Sequence, residues 1–192
     1  VASCDAQEAH DLALITQATT LHARLPVMHF FDGFRTSHEL MGVEVIGEEI
    51  MREMITPEML NAHKARSLDP EHPVIRGTSQ NPDVYFQGRE TVNKYYDAFG
   101  EILQTQMDLF ARLTGRQYHL YEYYGCENPK ELIVIIASAA KTVKETIDNL
   151  GSEYEVGVLI VRMYRPFDIK ALLEAIPKSV RSIAVLDRTK EP

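Results

Sequence analysis

Five polar residues stand in a row at Arg35, Thr36, Ser37, His38 and Glu39, one residue after an Asp32-Gly33 turn signal. The apolar run Val27–Phe31 before them suits a strand buried in a sheet. In an open α/β sheet, ligands and partners bind just beyond the carboxyl ends of strands. Asp32, Arg35, Thr36 and His38 are therefore candidates for lining the approach to an active site or for contacting another domain. Ser37 and His38 are neighbours in sequence, which does not make them a catalytic pair. A second polar cluster, Asp187, Arg188, Thr189 and Lys190, follows the last expected strand. It could meet a neighbouring domain or an anion, and a solvated loop is the plainer reading.

Other chemistries lack their residues. His10, His22, His29, His38, His63, His72 and His119 are scattered, with no H-E-x-x-H pair. Cys4 and Cys126 cannot supply the four thiolates of an iron–sulfur cluster, and they imply no disulfide framework. Neither a G-x-G-x-x-G nor a phosphate-binding P-loop pattern occurs. With 28 acidic and 20 basic residues, the formal charge of -8 argues against a nucleic-acid surface. No apolar run reaches the ~18 residues of a membrane span, and no signal peptide is visible. These features suit a cytoplasmic protein without a metal, nucleic-acid or membrane site of its own. The first residue is Val, and the chain reads as an excerpt that starts inside a fold.

The elements that must position these residues follow from pattern. Asp5 and Glu8 are spaced as a capping box, and the helix they open should run to about Ala23. The strand preceding that helix should lie outside the sequence. Val43–Ile46 is a possible short strand. Residues 47–55 and 56–68 read as helices, the second with Thr56 as N-cap and Pro57 at N1. Residues 69–88, rich in Pro and Gly, read as an extended irregular crossing. Residues 89–114 repeat apolar side chains at three- and four-residue steps, predicting one long helix stopped by Gly115. After a β-prone aromatic run at 118–124, strands are expected at 132–137, 156–163 and 183–186. Between them lie a helix capped by Ser138 and another capped by Asp168. That is a βαβαβ pattern, which predicts a parallel sheet.

The segment Phe30-Phe-Asp-Gly-Phe-Arg-Thr-Ser-His-Glu39 resembles a signature of the pyruvate:ferredoxin (flavodoxin) oxidoreductases. So do Leu68–Pro73, Arg76–Gln87, Val161–Phe167 and Val185–Pro192, in the family's order and over essentially the whole chain. The resemblance implies an internal segment from the amino-terminal third of a much longer enzyme. It implies an α/β fold: the end of a thiamine-diphosphate-enzyme pyrimidine-type domain with a long connecting helix over 1–118, then the start of a transketolase carboxy-terminal-like parallel βαβαβ domain over 119–192. The parent reaction would be oxidative decarboxylation of pyruvate to acetyl-CoA and carbon dioxide, with thiamine diphosphate, Mg2+ and iron–sulfur clusters, CoA as co-substrate, and ferredoxin or flavodoxin as acceptor. A homo-oligomer of the full enzyme and contacts with its remaining domains are implied too. The family's catalytic and cofactor residues map upstream or downstream, so this segment would be scaffold, binding no cofactor and inactive alone. Ser138-Ala-Ala-Lys141 replaces the glycine/serine-rich helix start of many relatives, which argues against a ligand there. The other readings are a noncatalytic α/β assembly or binding module, or a subunit of a related 2-oxoacid:ferredoxin oxidoreductase.

Overall fold

The computed structural model describes residues 1–75, 77–151 and 154–187. Helix α1 (Ala6–Ala23) starts where the Asp5 carboxylate accepts the Glu8 N–H at 2.8 Å. Glu8 reaches back past the N-cap and accepts the Cys4 N–H at 2.9 Å, one residue beyond a regular capping box. Leu12, Ile15 and Ala18 are fully buried. The Thr16 and Thr19 hydroxyls donate to the Leu12 and Ile15 carbonyls at 2.7 and 2.8 Å, so the helix carries hydroxyls inward without leaving them unpaired.

Val27–Phe31 does not form the doubly buried strand its composition predicts. Among the described residues only Phe30 is bridged, in parallel, to Ala2, and Met28 is 80% exposed. The Ser3 N–H donates to the Phe30 carbonyl at 3.1 Å, and the Phe30 N–H to that of Val1 at 3.0 Å. Residues 1–3 thus lie where the strand preceding α1 was expected to be missing. Apolar β-prone residues become a strand only beside neighbours that complete a ladder.

Val43–Ile46 is likewise not a strand. Short helices follow the first loop: α2 (Arg35–His38), α3 (Glu48–Met54) and α4 (Pro57–Lys64), the last capped by the Thr56 hydroxyl. The crossing over 69–88 is not wholly irregular, because α5 (Pro82–Glu90) starts inside it with Pro82 in its first turn. The long helix expected over 89–114 is divided among the end of α5, α6 (Asn93–Asp97) and α7 (Phe99–Thr114). The backbone stays near α at both joints, with Thr91 at φ -65, ψ -16 and Ala98 at φ -80, ψ -11. Three-residue hydrogen bonds such as Val92 N–H to Arg89 O tighten the turns there. On α7, Phe99, Leu103, Met107 and Phe110 are buried as one stripe, and α7 packs on α1. Gly115 ends it at φ 78, where a side chain would be strained.

The sheet holds β1 (Tyr121–Gly125), β2 (Glu131–Ile135), β3 (Val156–Val161) and β4 (Ser182–Val185), in the order β1-β3-β2-β4. β2 pairs in parallel with β3 and β4, while β1 runs antiparallel along β3. Helices α8 (Ala139–Leu150) and α9 (Ile169–Ala175) make the crossovers, giving the expected βαβαβ unit plus one antiparallel edge. Alternation sorts β3 between two cores. Val158 and Ile160 pack with Ala140, Val143 and Ile147 of α8. Leu159 and Val161 join the larger core with Leu172 and Ile176. That core also contains Leu12, Ile15, Leu103 and Phe110, so both halves of the chain build it.

Candidate functional site

The polar row after Asp32 sits against the start of α8, beyond the carboxyl end of β2. Asp32 Oδ1 accepts the Ser138 N–H at 3.0 Å, and Oδ2 accepts the Ser138 hydroxyl. Ser138 is the N-cap of α8 but gives no side-chain cap to its own helix. Its orphan N–H is instead met by a carboxylate from 106 residues earlier, where the helix dipole favours negative charge. The strand-end position open to a ligand in such sheets is here occupied by the protein's own Asp32.

Two strained residues flank this contact. Phe34 has φ 66, ψ -66, and the Arg35 N–H donates to the Gly33 carbonyl at 2.9 Å, which is a γ-turn of the rare positive-φ kind. Ala137 takes φ 63 where β2 turns into α8. Strain of this sort persists only where surrounding contacts over-determine it. Arg35 supplies one of those contacts, its Nη1 donating to Thr142 Oγ1 at 3.0 Å while its Nε pairs with Glu39 at 2.9 Å. Lys141 pairs with Asp5 at 2.7 Å. Burial works to lower the Lys141 ammonium, but the Asp5 hydrogen bond and charge outweigh it and hold it above its ordinary value.

A cavity of about 180 Å³ remains between these groups, lined by Cys4, Asp5, Arg35, Thr36, Ser138 and Lys141. The Thr36 hydroxyl is buried without a hydrogen-bond partner among the described residues. His38 stays outside, its Nδ1 2.6 Å from the Ser37 hydroxyl and its ring stacked on Phe34 at 5.7 Å. Burial, reinforced by Glu8, pushes the Cys4 thiol up and keeps it protonated, which leaves it a poor nucleophile.

Of the other candidates, Asp187 lies just past β4 and lines an apolar cleft with Phe167, Ile183 and Val185. Arg188, Thr189 and Lys190 fall outside the described residues. Pattern reading missed a buried charge network. Arg162, 1% exposed, pairs with Glu8 at 2.8 Å and Glu122 at 2.6 Å, and Glu122 pairs with Lys144 at 2.7 Å. Asp11 accepts Arg116 at 2.7 Å and the Tyr118 hydroxyl at 2.7 Å. One signal was available: an arginine closing a buried apolar strand must find a carboxylate.

Fold and site together define a class: an α/β chain with a mostly parallel sheet, in which a carboxylate from the N-terminal half is seated on the start of a helix in the C-terminal half. Residues 1–108 match the family profile described as pyruvate flavodoxin/ferredoxin oxidoreductase, thiamine diphosphate-binding. Residues 130–191 match that of pyruvate:ferredoxin oxidoreductase core domain II. The chain belongs to the pyruvate flavodoxin/ferredoxin oxidoreductase family. It is 54% identical, over 97% of its length, to the pyruvate-flavodoxin oxidoreductase of Trichormus variabilis. It is 50% identical over 99% to the probable pyruvate-flavodoxin oxidoreductase of Escherichia coli K12, and 47% over 100% to the pyruvate:ferredoxin oxidoreductase of Moorella thermoacetica. In each case it spans 16% of the relative's length.

Three buried carboxylates of the chain are engaged by the protein itself and are not open to a thiamine diphosphate or magnesium ion. Among the described residues no cluster of three or more His, Cys, Asp or Glu could hold a metal ion. The buried carboxylates Asp5, Glu8 and Asp11 are already committed to a helix cap, to Arg162 and to Arg116. None of these is available to activate a cofactor ring or to hold a magnesium ion. No helix among the described residues is long and apolar enough to cross a membrane.

Proposed function

We propose that these 192 residues are a scaffold segment of a larger enzyme that oxidatively decarboxylates pyruvate to acetyl-CoA and carbon dioxide, passing electrons to flavodoxin or ferredoxin. One observation carries this reading. Two profiles of the same family match consecutive parts of the chain, within relatives of which it covers only 16%. The parent supplies thiamine diphosphate, Mg2+ and iron–sulfur clusters, takes CoA as co-substrate, and works in the cytoplasm as a homo-oligomer. We put the domain boundary between residues 118 and 119, and the ends of the two profiles at 108 and 130 are compatible with it. Asp32 and Arg35 serve as the contact between the two domains, because their partners Ser138 and Thr142 lie in the second. Thr36 lies inside that contact, and His38 faces outward from it. Asp187, Arg188 and Lys190 belong to contacts with the remaining domains.

The test compares the purified 192-residue chain with its full-length parent. Both receive pyruvate, CoA, thiamine diphosphate and magnesium, and dye or flavodoxin reduction is followed. The parent should turn over and the segment should not. Turnover by a segment preparation free of parent would sink the scaffold role. A parent inert toward pyruvate would sink the assigned reaction.

A further inference from the structure

The side of the polar row turned away from α8 carries a feature that the domain contact does not use. Phe34 is 80% exposed, yet its backbone is held in the strained γ-turn. Gly33, one residue earlier, has no positive φ, and a Cβ there would meet nothing within 4 Å. The residue best able to absorb the reversal therefore stands beside it without doing so. Asp32 on one side and Arg35 on the other tie the turn to α8. The His38 ring stacks on Phe34 at 5.7 Å with 27° between planes. An aromatic side chain is thus displayed outward and restrained before any partner arrives, which lowers the ordering cost of binding. Phe31 and Met41, each 46% exposed, extend the apolar character of the same stretch.

We propose that Phe34 is a preformed docking knob that seats in an apolar pocket on a part of the parent polypeptide outside these residues, with His38 at the pocket's rim. This rests on the reading that the chain is a segment of a larger enzyme. The share of the relatives' length lying outside the segment, with 16% inside, supplies the occupant within one polypeptide. A second copy of the segment would instead bring another net charge of -8 to the contact. Buried aromatic anchors of this kind dominate the energy of the contacts they enter.

The test places the photoreactive residue p-benzoylphenylalanine at position 34 of the full-length parent, irradiates it, and maps the adducts by mass spectrometry. Adducts should join position 34 to peptides outside the segment, and the product should run as a single chain on a denaturing gel. Adducts joining two chains would make the occupant a second copy and overturn the proposal; no adduct would overturn it as well. A second readout is hydrogen exchange of the parent. Phe34→Ser should speed exchange about tenfold in the contacted peptide, and Phe34→Leu should leave it near the parent's rate. Equal exchange in both variants would also overturn the proposal. Neither readout needs turnover, so a parent inert toward pyruvate would refute the assigned reaction and leave the docking result standing.

Discussion

Phe34 and Gly33 make opposite predictions despite being neighbours. With φ 66 and ψ -66 at an exposed residue, Phe34→Gly relieves backbone strain and loses little burial. Strain of that kind is worth about 1–3 kcal/mol, and glycine's extra unfolded-state freedom returns roughly 0.5–1. Urea denaturation should therefore show Phe34→Gly more stable by about 1 kcal/mol. Gly33→Val should change stability by no more than about 0.5 kcal/mol, because the site is open and its φ ordinary. The Asp32-Gly33 pair marked the turn in sequence, and the positive φ falls on Phe34. What decides this is where Asp32 and Arg35 are tied, a long-range fact that local turn chemistry does not contain. Arg162 carries the largest expected loss at a single position. Arg162→Met should cost about 3–5 kcal/mol, since Glu8 is left buried and unpaired. Burial raises the Glu122 carboxyl, but Arg162 and Lys144 outweigh it and hold it below its ordinary 4.5. A depressed folded pKa contributes stability that is present above 4.5 and is lost as pH falls through the folded value. Acid titration of stability should accordingly be shallower below that point in Glu122→Gln than in the parent sequence. Equal slopes would mean that the pairing adds nothing.

At the level of elements, the β1–β3 edge is closed by two facing glycines, Gly125 and Gly157. A Cβ on Gly157 would stand 2.3 Å from the Tyr123 ring, which is held by its hydroxyl bond to the Cys126 carbonyl. Gly157→Ala should thus destabilise by about 1–3 kcal/mol. Gly157→Ala combined with Tyr123→Leu should recover part of that loss, and a simple sum of the two effects would rule the clash out. α1 and α4 were legible because their caps and apolar spacing agree with their tertiary surroundings, whereas α8 and the three parallel strands were legible from apolar spacing alone, since Ser138 turns its hydroxyl to Asp32. α5 was not, because Pro82 signals a helix start within a stretch whose Pro and Gly density argues for loop. Residues 27–31 failed for the opposite reason: their composition is that of a strand, but among the described residues Ala2 alone bridges to Phe30. The Asp32–Ser138 contact itself left no mark in sequence spacing, since only the folded chain brings residues 106 apart together.

On the scale of the whole molecule, the larger core takes Leu103 and Phe110 from one half and Leu132 and Leu159 from the other. Denaturation followed by probes in each half should give coincident transitions. Leu103→Ala, at a fully buried site, should shift both together by about 2–5 kcal/mol. Separate transitions would show that the halves fold as independent units. A double-mutant cycle of Asp32→Ala and Ser138→Ala should return a coupling of roughly 1.5–3 kcal/mol, the range for hydrogen bonds to a charged group. The ion pair between Glu8 and Arg162 spans 154 residues. A ribosome adding about 5–20 residues per second leaves that carboxylate waiting roughly 8–30 s for its guanidinium. During the wait α1 has no complete seat, because closing it would trap an uncompensated charge. Nascent chains halted before residue 162 should therefore be cut readily within α1. Chains halted well beyond it, with Arg162 clear of the exit tunnel, should resist the same protease, and equal digestion of both would show that α1 settles without its distant partner.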